Sequence, residues 1–442
     1  MGELFVSNVI IKDIVKKYMH KPYKHQKKIL EENKKKCGIF TGTGSGKTFV
    51  ALKLAEGSTL VICPKQQRDD FTWQNNAKKF NINIDLKVIS KEDIRKMWDT
   101  LPAYKTIIID ECHNNLGVSP AYVQKNKIQR PKTSQIFEAT QKFIKKYEPK
   151  RLYLLSATPV PKPMSMWGIG ILFGQDWDFG EFRRKYYVEI RIGGLRRIWI
   201  PKRDDESKQN LAKLIQRFGY TGGLNDFFDV PDQTHKTVKI ELSGEQKKAV
   251  KEMTLSEADP LVRRSRLRTI ENGVLYGKKI EELEGKIEMM TNMTTIYKSH
   301  KIDYILERAQ EFPKLLIFAN YTAQIEEIAK QLRKAEYRVS TLTGATKDRS
   351  FIQRVDKSPE PHIIIAQSSI SSGYELPTFP CVIYASKSWR YVDYEQSTGR
   401  VLRANHLKKN LYIHLVVEGC DKDCHDTIMS GQDFQERLTL NI

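Results

Sequence analysis

The sequence contains no run of apolar residues that approaches the roughly 20 residues a membrane-spanning helix needs. Its first residues, Met1-Gly2-Glu3-Leu4, lack the basic start and apolar core of a secretory signal. Six cysteines among 442 residues do not make a disulfide framework. Glycine (25 residues) and proline (17 residues) are not in excess, which excludes a collagen-like or low-complexity chain. We therefore expect a reduced, cytoplasmic protein that does not associate with membranes.

Acidic residues are too few to balance the basic ones. The chain has 74 lysines and arginines against 53 aspartates and glutamates, which gives a formal net charge of +21. An excess of one sign indicates the kind of partner rather than the fold, and it favours a polyanion. Charge alone leaves open a soluble protein from a lysine-rich proteome. Wholesale disorder is excluded, because 40% of the residues are hydrophobic and 10% are aromatic.

Two blocks of alternating strand and helix signals run from about 36 to 160 and from about 313 to 420. Each block has five short apolar runs separated by polar or helical sequence, a pattern typical of a parallel sheet covered by helices. The predicted strands are Cys37–Thr41, Thr59–Cys63, Asp85–Ile89, Thr106–Asp110 and Leu152–Ser156, then Leu315–Ala319, Arg338–Leu342, His362–Ala366, Cys381–Tyr384 and Leu411–Val416.

The material between the two blocks differs from both. A turn-rich stretch at 219–226 is the best candidate for a domain boundary, so we predict lobes at 1–227 and 228–442. Residues 243–300 are polar, rich in arginine and lysine, and helical in pattern, which predicts a helical insertion.

A glycine-rich phosphate loop, residues 41–48, follows the first predicted strand and precedes a predicted helix at 49–55. Glycines let backbone N–H groups close around phosphate oxygens, and the helix N-terminus adds its dipole. Lys47 is expected to reach the β- and γ-phosphates of ATP, and the Thr48 hydroxyl to ligate Mg²⁺. The strict pattern has glycine where this chain has Thr41. Nucleotide contacts are predicted for Thr43, Gly44, Ser45, Gly46, Lys47 and Thr48.

An Asp-Glu box, residues 110–113, follows a run of three isoleucines. Carboxylates at the end of a buried strand are costly unless they hold a metal or take part in chemistry. Asp110 is expected to hold Mg²⁺ through water, and Glu111 to position and deprotonate the attacking water. The alternative is that the two carboxylates only cap a helix at the strand end. The phosphate loop upstream in the same block makes this alternative less favoured.

An arginine pair, Arg400 and Arg403, lies three residues apart after Gln396, so the two are predicted to share a helix face. Two such arginines repel each other unless an anion neutralises them. They suit the charge that develops on a transferring γ-phosphoryl group. A solvated basic face is the alternative that this segment leaves open.

In this order, the phosphate loop, the Asp-Glu box and the arginine pair resemble motifs I, II and VI of superfamily 2 helicases and translocases. The stretches Ile240–Gln246 and Tyr384–Trp389 resemble the Swi/Snf-like branch of that superfamily. The asparagines after His113 and the compact length resemble the branch-migration helicases of large tailed bacteriophages. Further resemblances are Tyr23–Gln26 to the Q motif, Leu60–Lys65 to motif Ia, Ser156–Pro159 to motif III, Leu315–Asn320 to motif IV, and Ser371–Pro377 to motif V.

The resemblance implies roles for individual residues. Gln26 is expected to read adenine, and Gly373 to contact the nucleotide. Glu375 departs from the Asp, Asn or Gly that the family usually has at its position. The residues expected to couple the ATP site to the nucleic-acid site are His113, Ser156, Thr158 and Gln396. Nucleic-acid contacts are expected from Pro64, Lys65, Asn320, Thr343, Gly344, Ser368 and Trp389.

The family implies an α/β fold of two tandem RecA-like parallel-sheet lobes with an ATP cleft between them. It implies an ATP- and Mg²⁺-dependent DNA helicase or translocase that remodels forks and Holliday-type junctions in replication, recombination or repair. We expect a monomer on branched, forked or single-stranded DNA, in a bacterial or phage-infected cytoplasm. An RNA helicase, a double-strand translocase that remodels protein–DNA complexes, and a non-catalytic nucleic-acid-binding module are the alternatives.

A Gly-Gly hairpin, residues 188–200, is predicted from two alternating strands that flank Gly193-Gly194. A two-residue loop would place Arg191 opposite Arg196 and Ile190 opposite Arg197, with Trp199 on the face of Ile190. Like charges directly opposite each other are destabilising, which a phosphate backbone lying against them would relieve. We hypothesise that Arg191, Arg196 and Arg197 contact the duplex near a fork; an ordinary hairpin with solvated arginines is the alternative.

Three other clusters carry weaker signals. Arg263, Arg264, Arg266 and Arg268 lie on a predicted helix that is either a DNA-tracking surface or simply solvated. A loop-like, lysine-rich stretch at 125–132 follows the Asp-Glu box. The group of Cys420, Cys424 and His425 falls short of a four-ligand zinc site, so no metal other than Mg²⁺ is predicted.

Overall fold

The computed structural model describes residues 21–125, 128–192, 196–202, 204–283, 286–370, 374–403 and 407–431. The chain divides into two compact units, Met1–Asp229 and Val230–Ile442; the sequence-based boundary lies after residue 227. Each unit has its own six-stranded sheet and its own hydrophobic clusters. Within the described ranges, no helix combines the length and the apolar character needed to cross a bilayer.

The first unit is built on a sheet of six parallel strands. The strands among its described residues are β1 (Lys36–Thr41), β2 (Thr59–Cys63), β3 (Leu86–Ser90), β4 (Thr106–Ile109), β5 (Val118–Lys125), β6 (Ile128–Thr133), β7 (Arg151–Leu155), β8 (Tyr187–Ile192), β9 (Arg196–Pro201) and β10 (Gly219–Gly222). Six of them form the sheet, in the order β10-β1-β7-β4-β2-β3. The five strands predicted for this block agree with the structure to within one residue at each end.

Both faces of this sheet are buried. Along β2, Leu60 and Ile62 join one hydrophobic cluster, whereas Val61 and Cys63 join the other. Such burial on two sides explains why the strands read as continuous apolar runs rather than as alternating ones. The covering helices are α1 (Lys24–Glu32), α2 (Lys47–Leu54), α3 (Lys65–Asp69), α4 (Thr72–Lys79), α5 (Lys91–Met97), α6 (Gln135–Tyr147), α7 (Pro163–Leu172), α8 (Phe179–Tyr186) and α9 (Asp205–Phe218).

The stretch that was predicted to be a turn-rich boundary contains an edge strand. β10 pairs in parallel with β1, and Gly219 stands opposite Gly38. A Cβ atom on Gly219 would lie 2.2 Å from the Gly38 carbonyl oxygen, so only glycine permits this approach. The pairing continues into the phosphate loop, because the Gly42 N–H donates to the Gly222 carbonyl at 2.8 Å.

The lysine-rich stretch after the Asp-Glu box is a β-hairpin and not a loop. Strands β5 and β6 pair antiparallel, with an irregularity between Ser119 and Tyr122. We call this element the box hairpin (118–133). Residues 126 and 127 at its turn lie outside the described residues.

The predicted Gly-Gly hairpin is present as β8 and β9, but the predicted pairing is wrong by one residue. Ile192 pairs with Arg196, and Arg191 pairs with Arg197 rather than with Arg196. This register leaves three residues, 193–195, between the paired strand ends instead of the two that were assumed, and these three lie outside the described residues. Trp199 stands opposite Glu189, and therefore on the other face of the hairpin from Ile190.

The second unit repeats the parallel architecture. Its strands are β11 (Thr234–Lys239), β12 (Val274–Leu283), β13 (Lys286–Ile296), β14 (Lys314–Ala319), β15 (Val339–Leu342), β16 (His362–Gln367), β17 (Cys381–Tyr384) and β18 (Leu411–Val416). The sheet order is β11-β18-β17-β14-β16-β15, and all described pairings are parallel. The predicted fold class of two tandem parallel-sheet α/β lobes is therefore confirmed.

Only the first part of the predicted helical insertion, up to residue 271, is helical. The helices of the second unit are α10 (Gly244–Ser256), α11 (Pro260–Glu271), α12 (His300–Ala309), α13 (Thr322–Lys334), α14 (Phe351–Lys357), α15 (Tyr391–Thr398) and α16 (Cys420–Met429). The helical interpretation fails beyond α11, where β12 and β13 form an antiparallel hairpin. Threonine and isoleucine, which favour strands, are frequent in β13, and polar composition masked this preference.

We predict that Gly219→Ala lowers the midpoint of thermal unfolding. The added methyl group meets the Gly38 backbone, and overpacking of this kind costs about 1–3 kcal/mol. Gly223→Ala is the matched control, because an added Cβ there meets only the Asp226 carboxylate, at 3.7 Å. Equal midpoints for the two variants would show that β10 is not part of the sheet.

Candidate active site

The carboxyl ends of parallel strands meet at one edge of a sheet, where ligands of open α/β sheets bind. In the first unit the phosphate loop extends from the end of β1, the Asp-Glu box from β4, and Ser156 follows β7. Because β7 lies between β1 and β4, these three segments are neighbours along the same edge. Pro64 and Lys65 follow β2, the next strand beyond β4.

The phosphate loop is held open by its own hydrogen bonds. Gly44 and Gly46 each have φ of +83°, a conformation that favours glycine. The Thr41 and Ser45 hydroxyls lie 2.6 Å apart, so Thr41 braces the loop from the position where the strict pattern has glycine. The Lys47 ammonium donates to the carbonyls of Thr41 at 2.8 Å and of Gly42 at 3.1 Å.

The loop fits a phosphate group. The Thr43 hydroxyl oxygen is buried, and the described residues offer it no hydrogen-bond partner. α2 begins at Lys47, so its first backbone N–H groups and its positive dipole end face the same loop. These donors match the anionic oxygens of a nucleotide.

Gln26 ties α1 to the phosphate loop. The side chain is fully buried. Its Oε1 accepts from the Tyr23 N–H at 3.0 Å, and its Nε2 donates to the Ser45 carbonyl at 2.9 Å. A Cβ atom on Gly46 would lie 2.3 Å from Gln26 Nε2, so close packing as well as the positive φ favours glycine at this position. The predicted contact of Gln26 with adenine stays a prediction.

The two carboxylates of the Asp-Glu box have different surroundings. Asp110 is 8% exposed, and burial, followed by the charge of Glu111, raises the pKa of Asp110 to about 7. Nearby Lys47 opposes this shift. Glu111 has φ of +46°, which is rare for a residue other than glycine. Backbone strain held at a carboxylate beside a phosphate loop indicates a functional constraint.

Three of the four predicted coupling residues lie together in the first unit. His113 Nδ1 lies 3.5 Å from the Glu111 carboxylate and 2.9 Å from the Ser156 hydroxyl. The Ser156 hydroxyl also accepts from the Thr158 N–H at 3.0 Å. A continuous line of polar contacts thus runs from Glu111 to the segment that follows β7. The fourth residue, Gln396, is buried in the second unit.

Gln67 is a site residue that sequence reasoning missed. Its side chain is nearly buried, and its Oε1 accepts from the Trp73 indole N–H at 3.1 Å. A hydrogen bond from Gln67 also lowers the pKa of Asp110, against the effect of burial. Gln67 lies on α3, two residues after Lys65, so it connects the helix that carries a predicted nucleic-acid contact with a predicted Mg²⁺ ligand. Only the position after motif Ia could have indicated it.

The Mg²⁺ prediction is compatible with the residues present. No group of three or more His, Cys, Asp or Glu side chains able to hold a metal occurs within the described ranges. Mg²⁺ is commonly held by one or two protein carboxylates together with phosphate oxygens and water. Asp110 and the Thr48 hydroxyl would be the protein's contribution to such a site.

The arginine pair does not share a helix face, contrary to the prediction. α15 ends at Thr398, and Arg400 lies in the turn that follows. Arg400 donates to the carbonyls of Gln396 and Tyr374, both at 2.8 Å. Arg403 reaches the Tyr374 carbonyl at 3.3 Å, so the two guanidinium groups still converge on one atom.

Arg403 is the less firmly bonded of the two arginines. It lies 3.5 Å from the Glu375 carboxylate, which is largely exposed. Its Nε atom is buried, and none of the described residues accepts a hydrogen bond from it. Burial lowers the pKa of Arg403, and Glu375 offsets this in part. Gly373, predicted to contact the nucleotide, lies outside the described residues.

The predicted nucleic-acid contacts of the second unit lie at the carboxyl edge of its sheet. Asn320 follows β14, Ser368 follows β16, and Thr343-Gly344 follows β15. Ser386, after β17, joins the first two, because its hydroxyl accepts from the Asn320 N–H at 2.7 Å and its carbonyl accepts from Ser368 at 3.3 Å. This serine lies within the stretch Tyr384–Trp389 that resembles the Swi/Snf-like branch.

Three arginines of the basic cluster on α11 have partners within the second unit. Arg264 pairs with Asp423 at 2.6 Å, and Arg266 pairs with Glu257 at 2.7 Å. Arg268 is 3% exposed, and its guanidinium carbon lies 4.8 Å from the centre of the Trp389 ring. Arg268 therefore supports Trp389, a predicted nucleic-acid contact, whereas contact of the other arginines with nucleic acid remains a prediction.

The remaining predicted contacts lie in the first unit. Lys65 and Arg191 are exposed. The backbones of Arg196 and Arg197 lie in β9, but their side chains are outside the described part of the structure. Nucleic-acid contact by these residues remains a prediction.

Comparisons with known proteins point to helicases. Residues 297–405 match the family model of the helicase conserved C-terminal domain, and this range includes the arginine pair. A pre-mRNA-splicing ATP-dependent RNA helicase, prp28 of Schizosaccharomyces pombe, is 27% identical over 132 residues, which are 29% of this chain and 19% of that protein. The chain thus spans about a fifth of the length of this curated relative.

A solved structure is also similar to this chain. The Sulfolobus solfataricus SWI2/SNF2 ATPase core in complex with dsDNA is 18% identical, with 93% of this chain and 92% of that chain covered and a TM-score of 0.38. The match to the helicase C-terminal domain model falls on the segment where the sequence resembles motifs IV to VI. It supports a helicase-type ATPase.

We predict different effects on stability for the two arginines. Arg400→Met leaves the buried Gln396 carbonyl without its guanidinium donor, which costs about 1–3 kcal/mol, and lowers the midpoint of thermal unfolding. Arg403→Met removes a buried charge whose contacts are longer than those of Arg400. The lost contacts are offset by the lower cost of burying an uncharged side chain, so the midpoint changes little. A larger loss for Arg403→Met than for Arg400→Met would contradict this assignment.

Proposed function

We propose that this protein is an ATP- and Mg²⁺-dependent DNA helicase or translocase that remodels branched DNA, such as forks and Holliday-type junctions. One observation carries the ATPase part. A phosphate loop, a buried Asp-Glu box and the His113–Ser156 contact lie along one edge of a parallel sheet. The helicase C-terminal domain match supports the coupling of this activity to nucleic acid.

In this proposal the first unit holds the nucleotide. Phosphate oxygens accept hydrogen bonds from the backbone N–H groups of residues 43–46 and from the Lys47 ammonium. To bind them, Lys47 gives up its hydrogen bonds to the carbonyls of Thr41 and Gly42. Mg²⁺, when bound through Thr48 and Asp110, supplies positive charge to the phosphates. Glu111 accepts the proton of the attacking water, and His113 holds the Glu111 carboxylate in place.

We assign unequal roles to the arginine pair. Arg403 has a buried nitrogen without a described acceptor and a single exposed counter-ion, so it is the one suited to meet a developing phosphate charge. Arg400 is bonded to two backbone carbonyls and positions the segment that carries Arg403.

The nucleic-acid part rests on charge and on the predicted contacts. A formal net charge of +21 suits a phosphate backbone. DNA is proposed from the motif resemblance, as are branch migration and the phage relationship. An RNA helicase is the second candidate, because the curated relative is named as one. Strand displacement measured on matched DNA and RNA forks separates the two, and displacement of RNA alone would refute the DNA assignment.

Substitutions in the ATP site give the first prediction from this proposal. Lys47→Ala removes the phosphate-binding cation and abolishes hydrolysis. Glu111→Gln keeps the shape of the site but cannot accept a proton, so ATP binds and is not turned over. Arg403→Ala lowers turnover by about 10³-fold if it acts as an arginine finger.

These outcomes are measured as steady-state phosphate release, together with binding of a fluorescent ATP analogue. Arg184→Ser, an exposed arginine on α8, is the control and should keep the parental rate. Phosphate release by Glu111→Gln at near the parental rate would rule out its role as general base.

The corrected register of the Gly-Gly hairpin gives a further prediction. Arg191 and Arg197 are directly opposite, and like charges in that arrangement are tolerated best against an anion. The double substitution to serine should reduce strand displacement on forked DNA several-fold, while ATP hydrolysis on single-stranded DNA is kept. Unchanged displacement would leave the hairpin without a role at the fork.

A further inference from the structure

Arg183 on α8 is a buried cation outside the proposed ATP site. It is 6% exposed. Burying a guanidinium group is costly unless other groups compensate it. Helix α8 begins with a capping bond from the Glu181 N–H to Asp178 and ends where β8 starts, so Arg183 is held at the base of the Gly-Gly hairpin.

Arg183 contacts both hairpins of the first unit. Its guanidinium carbon lies 4.0 Å from the centre of the Trp199 ring, on β9 of the Gly-Gly hairpin. Its Nη1 donates to the Pro120 carbonyl, on β5 of the box hairpin, at 3.4 Å. Strands β5 and β9 are themselves in contact. A planar guanidinium group can stack on a ring and donate in its own plane at the same time, which an ammonium group cannot do.

The box hairpin is joined to Glu111 by a short, tightly bonded segment. Three successive turns link them, with N–H donation from Asn114 to Glu111 at 2.9 Å, from Asn115 to Cys112 at 2.8 Å, and from Val118 to Leu116 at 2.8 Å. α7 packs closely on this segment, because a Cβ atom on Gly168 would lie 3.1 Å from Leu116. A displacement of β5 is therefore expected to move the backbone of this segment as well.

From these contacts we infer that Arg183 couples the Gly-Gly hairpin to the Asp-Glu box. Nucleic acid that moves β9 moves Trp199, Arg183 and Pro120 in turn, and so shifts the backbone that holds Glu111 in its left-handed conformation. Arg183 is a positioning residue, because it touches neither nucleotide nor nucleic acid in this scheme. The inference rests on the proposed function, since it requires ATP hydrolysis that nucleic acid stimulates.

The test is the ratio of ATPase turnover with saturating forked DNA to turnover without DNA. Arg183→Met keeps the length and packing of the side chain but removes both the cation and the donor. We expect its turnover without DNA and its DNA dissociation constant to stay within about twofold of the parent, while the ratio falls by about tenfold, within the usual range of coupling between sites. Arg184→Met, the exposed neighbour, should keep the parental ratio.

A second variant approaches the contact from the other side. Trp199→Leu removes the ring and leaves Arg183 in place, so it should lower the ratio as well. The double variant should be no worse than the poorer single one, because both changes break one contact. Trp199→Leu carries the test if thermal unfolding shows that Arg183→Met does not fold.

The outcomes separate this inference from the proposed function. A parental ratio near one with every nucleic acid tested refutes the proposed function, and the coupling role falls with it. A stimulated parent whose ratio survives both Arg183→Met and Trp199→Leu overturns the coupling role alone. Equal losses for Arg183→Met and Arg184→Met would show that basic charge on α8 matters and the buried contact does not.

Discussion

The parallel pairing of each sheet is the constraint on which the candidate site depends. Parallel strands end at the same edge, so segments that are far apart in sequence become neighbours there. In the first unit the order β1-β7-β4-β2 brings together the phosphate loop, Ser156, the Asp-Glu box and Pro64. The pairing is maintained by apolar residues on both faces of the sheet. A helix or an antiparallel strand in place of any of these would separate the nucleotide contacts.

Around this edge, several side chains brace the site and do not react. Gln26 holds α1 against the phosphate loop, and Gln67 reaches Asp110 from α3. In the second unit, Arg400 closes the turn before Arg403, and Ser386 joins Asn320 and Ser368. Each of these side chains is buried.

Sequence reasoning located ten of the twelve strands of the two six-stranded sheets, because continuous apolar runs are a local signal. It also named candidate site residues from the glycines and carboxylates at the ends of these runs, and their roles stay predictions. It failed where structure depends on distant partners. Gly219 reads as a turn until Gly38 is known to stand beside it. Arg400 and Arg403 read as a helix face because a three-residue spacing does not reveal that α15 ends at Thr398. Arg183 gave no signal at all, since its partners lie 63 residues before it on β5 and beyond the turn of the Gly-Gly hairpin on β9.

The most direct test of the account is the steady-state ATPase rate with matched single-stranded DNA, duplex DNA, forked DNA, four-way-junction DNA and single-stranded RNA. We predict a low rate without nucleic acid and the strongest stimulation by forked and four-way-junction DNA. Equal stimulation by plain duplex would favour a translocase that need not separate strands. Stimulation by RNA alone, or by no nucleic acid, would contradict the claim that this site powers the remodelling of branched DNA.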